Sequence, residues 1–373
     1  MNYTTNLLSL KDSVDNNVLT IEHIKTFINL PKIMDDLESL HLFLINEILA
    51  IHKKEGSCIN NHLCKTFLSA EDALDKAEDA KSGGKIYFFN NTTSTYYIFG
   101  DIHGDSYSII EFLKTINFID KVQRDENLKI IFLGDYIDRG HCVFKALELI
   151  LVLKYLFPYN IFLLRGNHDG GTIISEKEYK LCVGRNSGTT DEDYFVASLF
   201  NRLTALGKPL TLLESYLTLF ESLCTLALIK NGDDVVLCVH GGIPRAKNSS
   251  YEHLNLLGNL YDESITDHIG RTILHNMLWS DPSEDTTLQR DGGRFYFYNY
   301  EFENFLNRFS MSMVIRGHQA FDEGYKEFFN GKLLSIFSSG SSSSKNKETA
   351  YPSLSPCVVK LHHGENSIIR LQN

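Results

Sequence analysis

The stretch from residue 130 to residue 140, IIFLGDYIDRG, decides the fold of this chain. Four apolar residues stop abruptly at Gly134, and two carboxylates and an arginine follow within the next five positions. A short apolar run rich in β-branched and aromatic residues is typical of a buried strand, and a glycine followed by carboxylates is typical of the loop that leaves its carboxyl end. The stretch therefore predicts a buried strand that delivers Asp135, Asp138 and Arg139 to one edge of a sheet.

Two similar stretches flank this one along the chain. YYIFGDIHGD occupies residues 96–105, and IFLLRGNHD occupies residues 161–169. Residues 106–115 and 143–156 lie between the three stretches and carry apolar side chains at helical spacing. The local unit is therefore predicted as β-α-β-α-β. Open sheets of this kind bind ligands at the carboxyl ends of their strands, which is where the polar side chains of these stretches would lie.

Two later stretches repeat the pattern, each placing one histidine after an apolar run. They are VVLCVHGG at residues 235–242 and MVIRGHQ at residues 313–319. Any one such fragment alone is most often a turn, but five in one chain make coincidence improbable. Oxygen and nitrogen ligands of this mixture suit Mn, Fe or Zn, and their number suits two metals that share a carboxylate. The six candidate ligands are Asp101, His103, Asp135, Asn167, His240 and His318.

The ordered series GDIHG, GDYIDRG, GNHD, HGG and RGHQ resembles the phosphoprotein phosphatase family of dinuclear metallophosphoesterases, over roughly residues 95–365. LWSDP at residues 278–282 resembles the protein-phosphatase branch. The resemblance implies an α/β fold, a metallophosphoesterase-type β-sandwich of two sheets flanked by helices, with two divalent ions at the carboxyl ends of strands. It assigns one ion to Asp101, His103 and Asp135. It assigns the other ion to a set that shares one carboxylate with the first: Asp135, Asn167, His240 and His318.

The activity implied by the resemblance is hydrolysis of phosphoserine and phosphothreonine in a phosphorylated protein. A hydroxide bridging the two ions, with Mn²⁺ favoured and Fe or Zn as alternatives, would attack phosphorus directly. Arg139 and Asn167 would bind the phosphate. His168 would protonate the leaving group, oriented by Asp138. A second phosphate-binding arginine is expected at Arg294, where the alignment is loose and Arg290 is the alternative.

Two features depart from the family pattern. After the last histidine motif the family usually has a Phe-Ser-Ala-Pro-Asn-Tyr loop whose tyrosine faces the active site, but residues 336–344 read IFSSGSSSS. The aromatic side chain is therefore expected to be missing and the mouth of the site to be more open. Residues 170–209 are longer than expected and form either a lid or specificity element or a surface excursion. These departures favour a divergent member of the family, for which a bacterial origin is one hypothesis.

Three other functions stay open at this point. A phosphotyrosine-specific phosphatase on the same fold would use the more open mouth. A dinucleoside polyphosphate hydrolase of the same superfamily would share the metal chemistry. An inactive scaffold that binds phosphoproteins would lack a ligand or the acid, and all of those residues are present.

Composition excludes several classes of partner and location. The chain has 373 residues, 43% hydrophobic and 22% charged, with a net charge of −11, which argues against nonspecific binding to nucleic acid or anionic membranes. The seven cysteines form no C-x-x-C pair. Four of them lie in apolar stretches and the count is odd, which favours buried thiols in a reducing compartment over a disulfide framework: Cys142, Cys224, Cys238 and Cys357. No signal peptide or membrane-spanning stretch is recognised. We expect a cytoplasmic protein or one exported by a non-classical route, such as a translocated bacterial effector.

The chain is predicted to consist of a helical region at residues 1–94 packed on a catalytic domain at residues 95–373. Helical periodicity over residues 20–53 suits a structural role, with partner binding as the alternative, and no regulatory partner can be named. The polar run 90–94 is predicted to be a hairpin loop. Residues 358–361 and 368–371 are predicted to complete the second sheet as a hairpin.

Overall fold

The computed structural model describes residues 3–56, 69–83, 85–124, 127–244, 268–287, 295–341 and 345–371. Its helices are α1 (Tyr3–Asp15), α2 (Ile21–Ile28), α3 (Met34–Gly56), α4 (Ala70–Lys76), α5 (Ser106–Thr115), α6 (Phe118–Gln123), α7 (Val143–Leu156), α8 (Phe195–Ala205), α9 (Thr211–Ser222), α10 (His268–Trp279) and α11 (Asn299–Phe309), with a 3₁₀ turn at Asp191–Asp193. Its strands are β1 (Lys81–Gly83), β2 (Ile86–Phe89), β3 (Thr95–Phe99), β4 (Leu128–Phe132), β5 (Ile161–Leu163), β6 (Gly171–Ser175), β7 (Glu178–Leu181), β8 (Leu226–Asn231), β9 (Asp234–Val239), β10 (Asp281–Pro282), β11 (Tyr296–Phe297), β12 (Met313–Arg316), β13 (Tyr325–Phe328), β14 (Leu333–Ile336), β15 (Cys357–His362) and β16 (Glu365–Arg370).

The three similar stretches form adjacent parallel strands. Strand β3 pairs with β4, and β4 pairs with β5, with Ile98 opposite Ile131 and Ile131 opposite Phe162. Helix α5 follows β3 and helix α7 follows β4, so the predicted β-α-β-α-β unit is present. The carboxyl ends of the three strands therefore meet at one edge of a five-stranded sheet of order β16-β15-β3-β4-β5.

A second, seven-stranded sheet of order β1-β2-β8-β9-β12-β14-β13 faces the first. Successive side chains of a strand point to opposite faces of the sheet, as β3 shows. Tyr96 and Ile98 lie in a core shared by both sheets, whereas Tyr97 and Phe99 lie in a core shared with helices α1–α3 and α5–α9. The outer face of the second sheet packs on α4, α10 and α11. The expected two-sheet sandwich flanked by helices is confirmed, in four layers.

Two local predictions were wrong about where strands pair. The polar run 90–94 does not close a hairpin, because β2 pairs with β8 in one sheet and β3 pairs with β4 in the other. Residues 86–89 form a strand, as the predicted hairpin requires, but as β2 they lie with β1 in the seven-stranded sheet. The hairpin β15–β16 forms as predicted but pairs with β3 in the five-stranded sheet. The domain boundary at residue 94 stays a prediction.

Candidate metal centre

Loops at the carboxyl ends of strands from both sheets bring the six candidate ligands together. Strands β9 and β12 are parallel neighbours, so the loops after them place His240 and His318 side by side, with ring centroids 5.1 Å apart. Asp101 forms a parallel bridge with Phe337, which joins the edges of the two sheets. The loops are tightly wound: His103, Asp135 and His318 have φ angles of 43°, 55° and 71°, a left-handed region that non-glycine residues rarely adopt.

The imidazole of His103 directs a lone pair at two carboxylates. Its Nδ1 donates a hydrogen bond to the carbonyl oxygen of Ile137 at 2.7 Å, so in the neutral ring Nε2 carries the lone pair. Nε2 lies 3.5 Å from Oδ2 of Asp135 and 3.8 Å from Oδ2 of Asp101, and it is buried with no hydrogen-bond partner among the described residues. A lone pair facing two acceptors is repulsive unless a cation lies among them.

The same conflict occurs at His240. Its Nδ1 donates to the carbonyl oxygen of Leu133 at 3.1 Å, which leaves the lone pair on Nε2. Nε2 lies 2.8 Å from Oδ1 of Asn167 and 3.5 Å from the same Oδ2 of Asp135. Nδ1 of His318 lies 2.8 Å from that amide oxygen and 3.2 Å from Nε2 of His240. Two sets of ligand atoms thus converge, and Asp135 belongs to both.

The donor chemistry fits two divalent cations. Burial raises the pKa of Asp101 to about 7, and burial together with the charges of Asp101 and Asp169 raises the pKa of Asp135 well above its usual value. Burial also lowers the pKa values of His103 and His240 well below their usual range, which keeps both rings neutral. Buried carboxylates and neutral imidazoles are what a cation requires of its ligands.

Asp169 organises this centre, a role that was not predicted from the sequence. Its carboxylate accepts backbone hydrogen bonds from Asp135 at 2.7 Å, Tyr136 at 2.9 Å and Gly166 at 2.8 Å. The side chain is fully buried, and burial raises its pKa to about 6. Asp169 therefore locks the loop after β4 to the loop after β5. Its place directly after Asn167 and His168 was the only signal available in the sequence.

His168 and Asp138 form a buried pair beside the ligands. Nδ1 of His168 lies 2.7 Å from Oδ2 of Asp138, whose Oδ1 accepts a hydrogen bond from the backbone N–H of Phe195 at 2.8 Å. Nε2 of His168 lies 3.0 Å from Nη2 of Arg139. His168 is close enough to His103 and Asp135 to be a third metal ligand on distance alone. Because its two ring nitrogens contact a carboxylate and a guanidinium, the geometry favours a role beside the metals.

The expected loss of the aromatic side chain at the mouth of the site was wrong. Tyr351 supplies one: its ring lies 5.9 Å from that of His103 and 4.8 Å from that of Phe337, and its hydroxyl accepts a hydrogen bond from Nη1 of Arg139 at 2.6 Å. Burial raises the pKa of Tyr351 to about 12, so the phenol stays protonated. Tyr351 comes after the serine-rich run and not directly after Phe337, where the family pattern has its tyrosine.

Other predicted residues fall outside the centre or outside the described ranges. Arg294 and Arg290 lie outside the described residues, so their role stays a prediction. Arg316, which precedes a histidine motif, is fully buried and forms an ion pair with Asp281 at 3.0 Å, so its role is structural.

Residues 170–209 pack directly against the centre. The hairpin β6–β7 is followed by Cys182, whose sulfur lies 3.2 Å from the carbonyl oxygens of Asn167 and His168. Further on, the backbone N–H of Arg139 donates to the carbonyl oxygen of Asp193 at 2.9 Å. Together with the bond from Phe195 to Asp138, these contacts fix the segment to the loops after β4 and β5.

Comparisons with known proteins agree with this geometry. The chain is 32% identical over 251 residues to the serine/threonine-protein phosphatase 6 catalytic subunit of Caenorhabditis elegans, a match covering 66% of this chain and 65% of the relative. It is 29% identical over 243 residues to the serine/threonine-protein phosphatase 4 catalytic subunit of Eremothecium gossypii, covering 65% and 67%. A solved protein serine/threonine phosphatase from Saccharomyces cerevisiae shares the fold, with a TM-score of 0.54, 18% identity and coverage of 88% and 90%.

None of the helices in the described part of the chain is both long and apolar enough to cross a membrane. A family model for calcineurin-like phosphoesterases matches residues 94–321, which include all five motifs. The chain therefore belongs to the calcineurin-like phosphoesterase family.

Proposed function

We propose that this protein is a metal-dependent protein phosphatase that hydrolyses phosphoserine and phosphothreonine. The observation that carries the proposal is that Oδ2 of Asp135 lies 3.5 Å from both His103 Nε2 and His240 Nε2, so that one buried carboxylate faces two imidazole lone pairs. Family membership and the names of the relatives support a phosphorylated protein as the substrate.

Two divalent cations would be held by two ligand sets that share Asp135. When bound, such ions supply Lewis acidity that activates water and neutralises charge on a phosphoryl group. We favour Mn²⁺, with Fe or Zn as alternatives, because the ligands mix carboxylate, amide and imidazole groups. The first set is Asp101, His103 and Asp135. The second set is Asp135, Asn167, His240 and His318.

Arg139 and Asn167 bind the phosphate in this proposal. Nε of Arg139 and Nδ2 of Asn167 are both buried and have no hydrogen-bond partner among the described residues. A buried donor without a partner is costly, and phosphate oxygens are strong acceptors that would satisfy both. The amide oxygen of Asn167 remains directed at the histidine pair. Arg294 is proposed as the second arginine on the resemblance alone.

His168 acts as the general acid that protonates the leaving serine or threonine oxygen. Asp138 contacts Nδ1 of His168, so Nε2 is the nitrogen that gives its proton to the substrate. The negative charge of Asp138 also stabilises the imidazolium form before transfer. Asp138 is itself held by the backbone of Phe195, which keeps the pair in place.

The test is phosphate release from phosphoserine, phosphothreonine and phosphotyrosine peptides of otherwise identical sequence, with Mn²⁺ and again after chelation. We expect chelator-sensitive release from the first two. Release confined to phosphotyrosine would overturn the substrate assignment and keep the metal chemistry. Hydrolysis of dinucleoside polyphosphates alone, or binding of phosphopeptides without turnover, would replace the proposal by the other two alternatives. The open mouth that had favoured phosphotyrosine is narrowed by Tyr351.

A further inference from the structure

A cavity of about 540 Å³ lies beside the turn that contains Asp138 and Arg139, between the start of α7 and helix α8. We call it the α8 pocket; its wall includes Gly140, Val143, Phe144, Phe195, Ser198 and Arg202. Gly140 directly follows Arg139, and Phe195 donates its backbone N–H to Asp138. A Cβ atom at Gly140 would lie 1.8 Å from the carbonyl oxygen of His103, so this wall is in contact with a metal-site loop. The α8 pocket and the catalytic centre thus share one turn of the chain.

One side of the α8 pocket is apolar and suited to an apolar side chain. Val143 and Phe144 are only partly buried, although the ring of Phe144 packs against that of Phe195 with centroids 5.2 Å apart. Cavities of this size that combine aromatic walls with a few polar groups are typical of ligand sites. The catalytic mechanism proposed above uses none of these side chains.

The positive charge of Arg202 at the rim of the α8 pocket favours an acidic residue in a bound peptide. The Arg202 guanidinium lies 6.0 Å from the ring centroid of Phe144 and is exposed, and no carboxylate of the described residues forms an ion pair with it. The nearby carboxylates have other partners: Glu192, which also lines the α8 pocket, accepts from the hydroxyl of Ser198 at 2.8 Å, and Asp191 pairs with Arg185. Arg202 is therefore the cation that the α8 pocket presents to an incoming anion.

We propose that the α8 pocket binds the segment of the substrate that flanks the phosphorylated residue, taking an apolar side chain beside an acidic one. The inference rests on the proposed function, because it needs a phosphopeptide whose phosphate is held by Arg139. An extended peptide advances roughly 3.3 Å per residue, so a side chain a few positions from the phosphate reaches past Gly140. The α8 pocket would then determine sequence preference, and residues 191–205 would be a specificity element.

The test uses the full-length protein with Mn²⁺ and a set of phosphoserine peptides. A Leu-Glu pair is placed at successive positions on either side of the phosphoserine, and Gly-Glu and Leu-Lys replace it in matched peptides. Every kcat/KM is divided by that of the same protein on p-nitrophenyl phosphate, which has no flanking residues. In at least one register we expect Leu-Glu to exceed Gly-Glu by about 10-fold, the effect of filling an apolar pocket.

Two variants then test the assignment of that preference to the α8 pocket. Arg202→Glu should invert the preference for Leu-Glu over Leu-Lys, and Ala205→Trp, which places an indole at the pocket wall, should remove the preference for leucine. Arg308→Glu, an exposed arginine on α11, is the matched control and should keep the wild-type ratios.

The outcomes separate the two proposals. If p-nitrophenyl phosphate and the peptides are hydrolysed but no register is preferred, or both pocket variants keep the wild-type ratios, the α8 pocket assignment is overturned and the phosphatase assignment stands. If none of the substrates is hydrolysed with Mn²⁺, the proposed function fails and this inference fails with it.

Discussion

The guanidinium of Arg139 donates a hydrogen bond through Nη1 to the hydroxyl of Tyr351 at 2.6 Å. Its other terminal nitrogen contacts His168, so the arginine is held from two sides and presents Nε to a ligand. We expect Tyr351→Phe to lower kcat/KM on phosphopeptides by roughly 5- to 10-fold, because one buried hydrogen bond of about 1 kcal/mol positions Arg139.

The matched control for this prediction is Tyr300→Phe, which removes the hydroxyl of an exposed tyrosine on α11. It should retain the wild-type kcat/KM. A Tyr351→Phe protein with unchanged kcat/KM would show that the phenol does not position Arg139. A higher kcat/KM would show that the phenol competes with phosphate for Arg139.

Asp135→Asn should abolish turnover and reduce bound metal without unfolding the chain. The amide keeps the volume and an oxygen to accept the hydrogen bond from the backbone N–H of His168, but it loses the charge that both ligand sets share. Metal content by elemental analysis and thermal unfolding in chelator check the two halves of the prediction. Asp233→Asn, an exposed position in the β8–β9 turn, is the control. An active, fully metallated Asp135→Asn protein would contradict the shared-carboxylate assignment.

His168→Ala should lower kcat on phosphoserine peptides by about 10²- to 10⁴-fold, the usual contribution of a general acid. The loss should be smaller on p-nitrophenyl phosphate, because p-nitrophenolate leaves without being protonated. Steady-state kinetics on both substrates give the comparison, with His363→Ala, an exposed histidine in the β15–β16 turn, as control. Equal losses on the two substrates would remove His168 from the acid role and leave it a structural one.

The local pattern of apolar and polar residues was sufficient to predict the β-α-β-α-β unit from β3 to β5. Helices α5 and α7 begin and end at the residues expected from apolar spacing, and the three parallel strands lie where apolar runs stop at glycine. Carboxyl ends of parallel strands must meet at one edge, so the meeting of Asp101, Asp135 and Asn167 followed from topology alone.

Pairing between distant segments was not predictable in the same way. Strands β2 and β3 are both apolar runs joined by a short polar segment, and nothing in periodicity distinguishes a hairpin from a crossing between two sheets. Tyr351 reaches the site because the serine-rich loop is tied down by Asp105, whose Oδ2 accepts from Ser339 and Gly340 at 3.1 Å and from Asn346 at 3.0 Å. The position of Tyr351 therefore depends on contacts between segments far apart in the sequence, which a single sequence does not reveal.

His52 on α3 should make the stability of the protein sensitive to acid. Burial lowers the pKa of His52 to about 3 from its ordinary value of 6.5, and its Nδ1 lies 2.9 Å from the hydroxyl of Ser222. Above pH 6.5 the ring is neutral whether the chain is folded or unfolded, so it adds no pH dependence. As the pH falls from 6.5 towards 3, the unfolded chain binds a proton that the folded chain does not bind, and stability is lost at up to about 1.4 kcal/mol per pH unit.

The variant that tests this is His52→Leu, which cannot bind the proton. Between pH 7 and pH 5, wild type should lose about 2 kcal/mol more free energy of unfolding than the variant, even if the variant is less stable at pH 7 through losing the bond to Ser222. Urea unfolding at several pH values measures both slopes. His363→Leu is the control, because that side chain is exposed in the folded protein and its surroundings change little on unfolding. Identical slopes for wild type and His52→Leu would show that the His52 imidazole accepts a proton inside the folded protein.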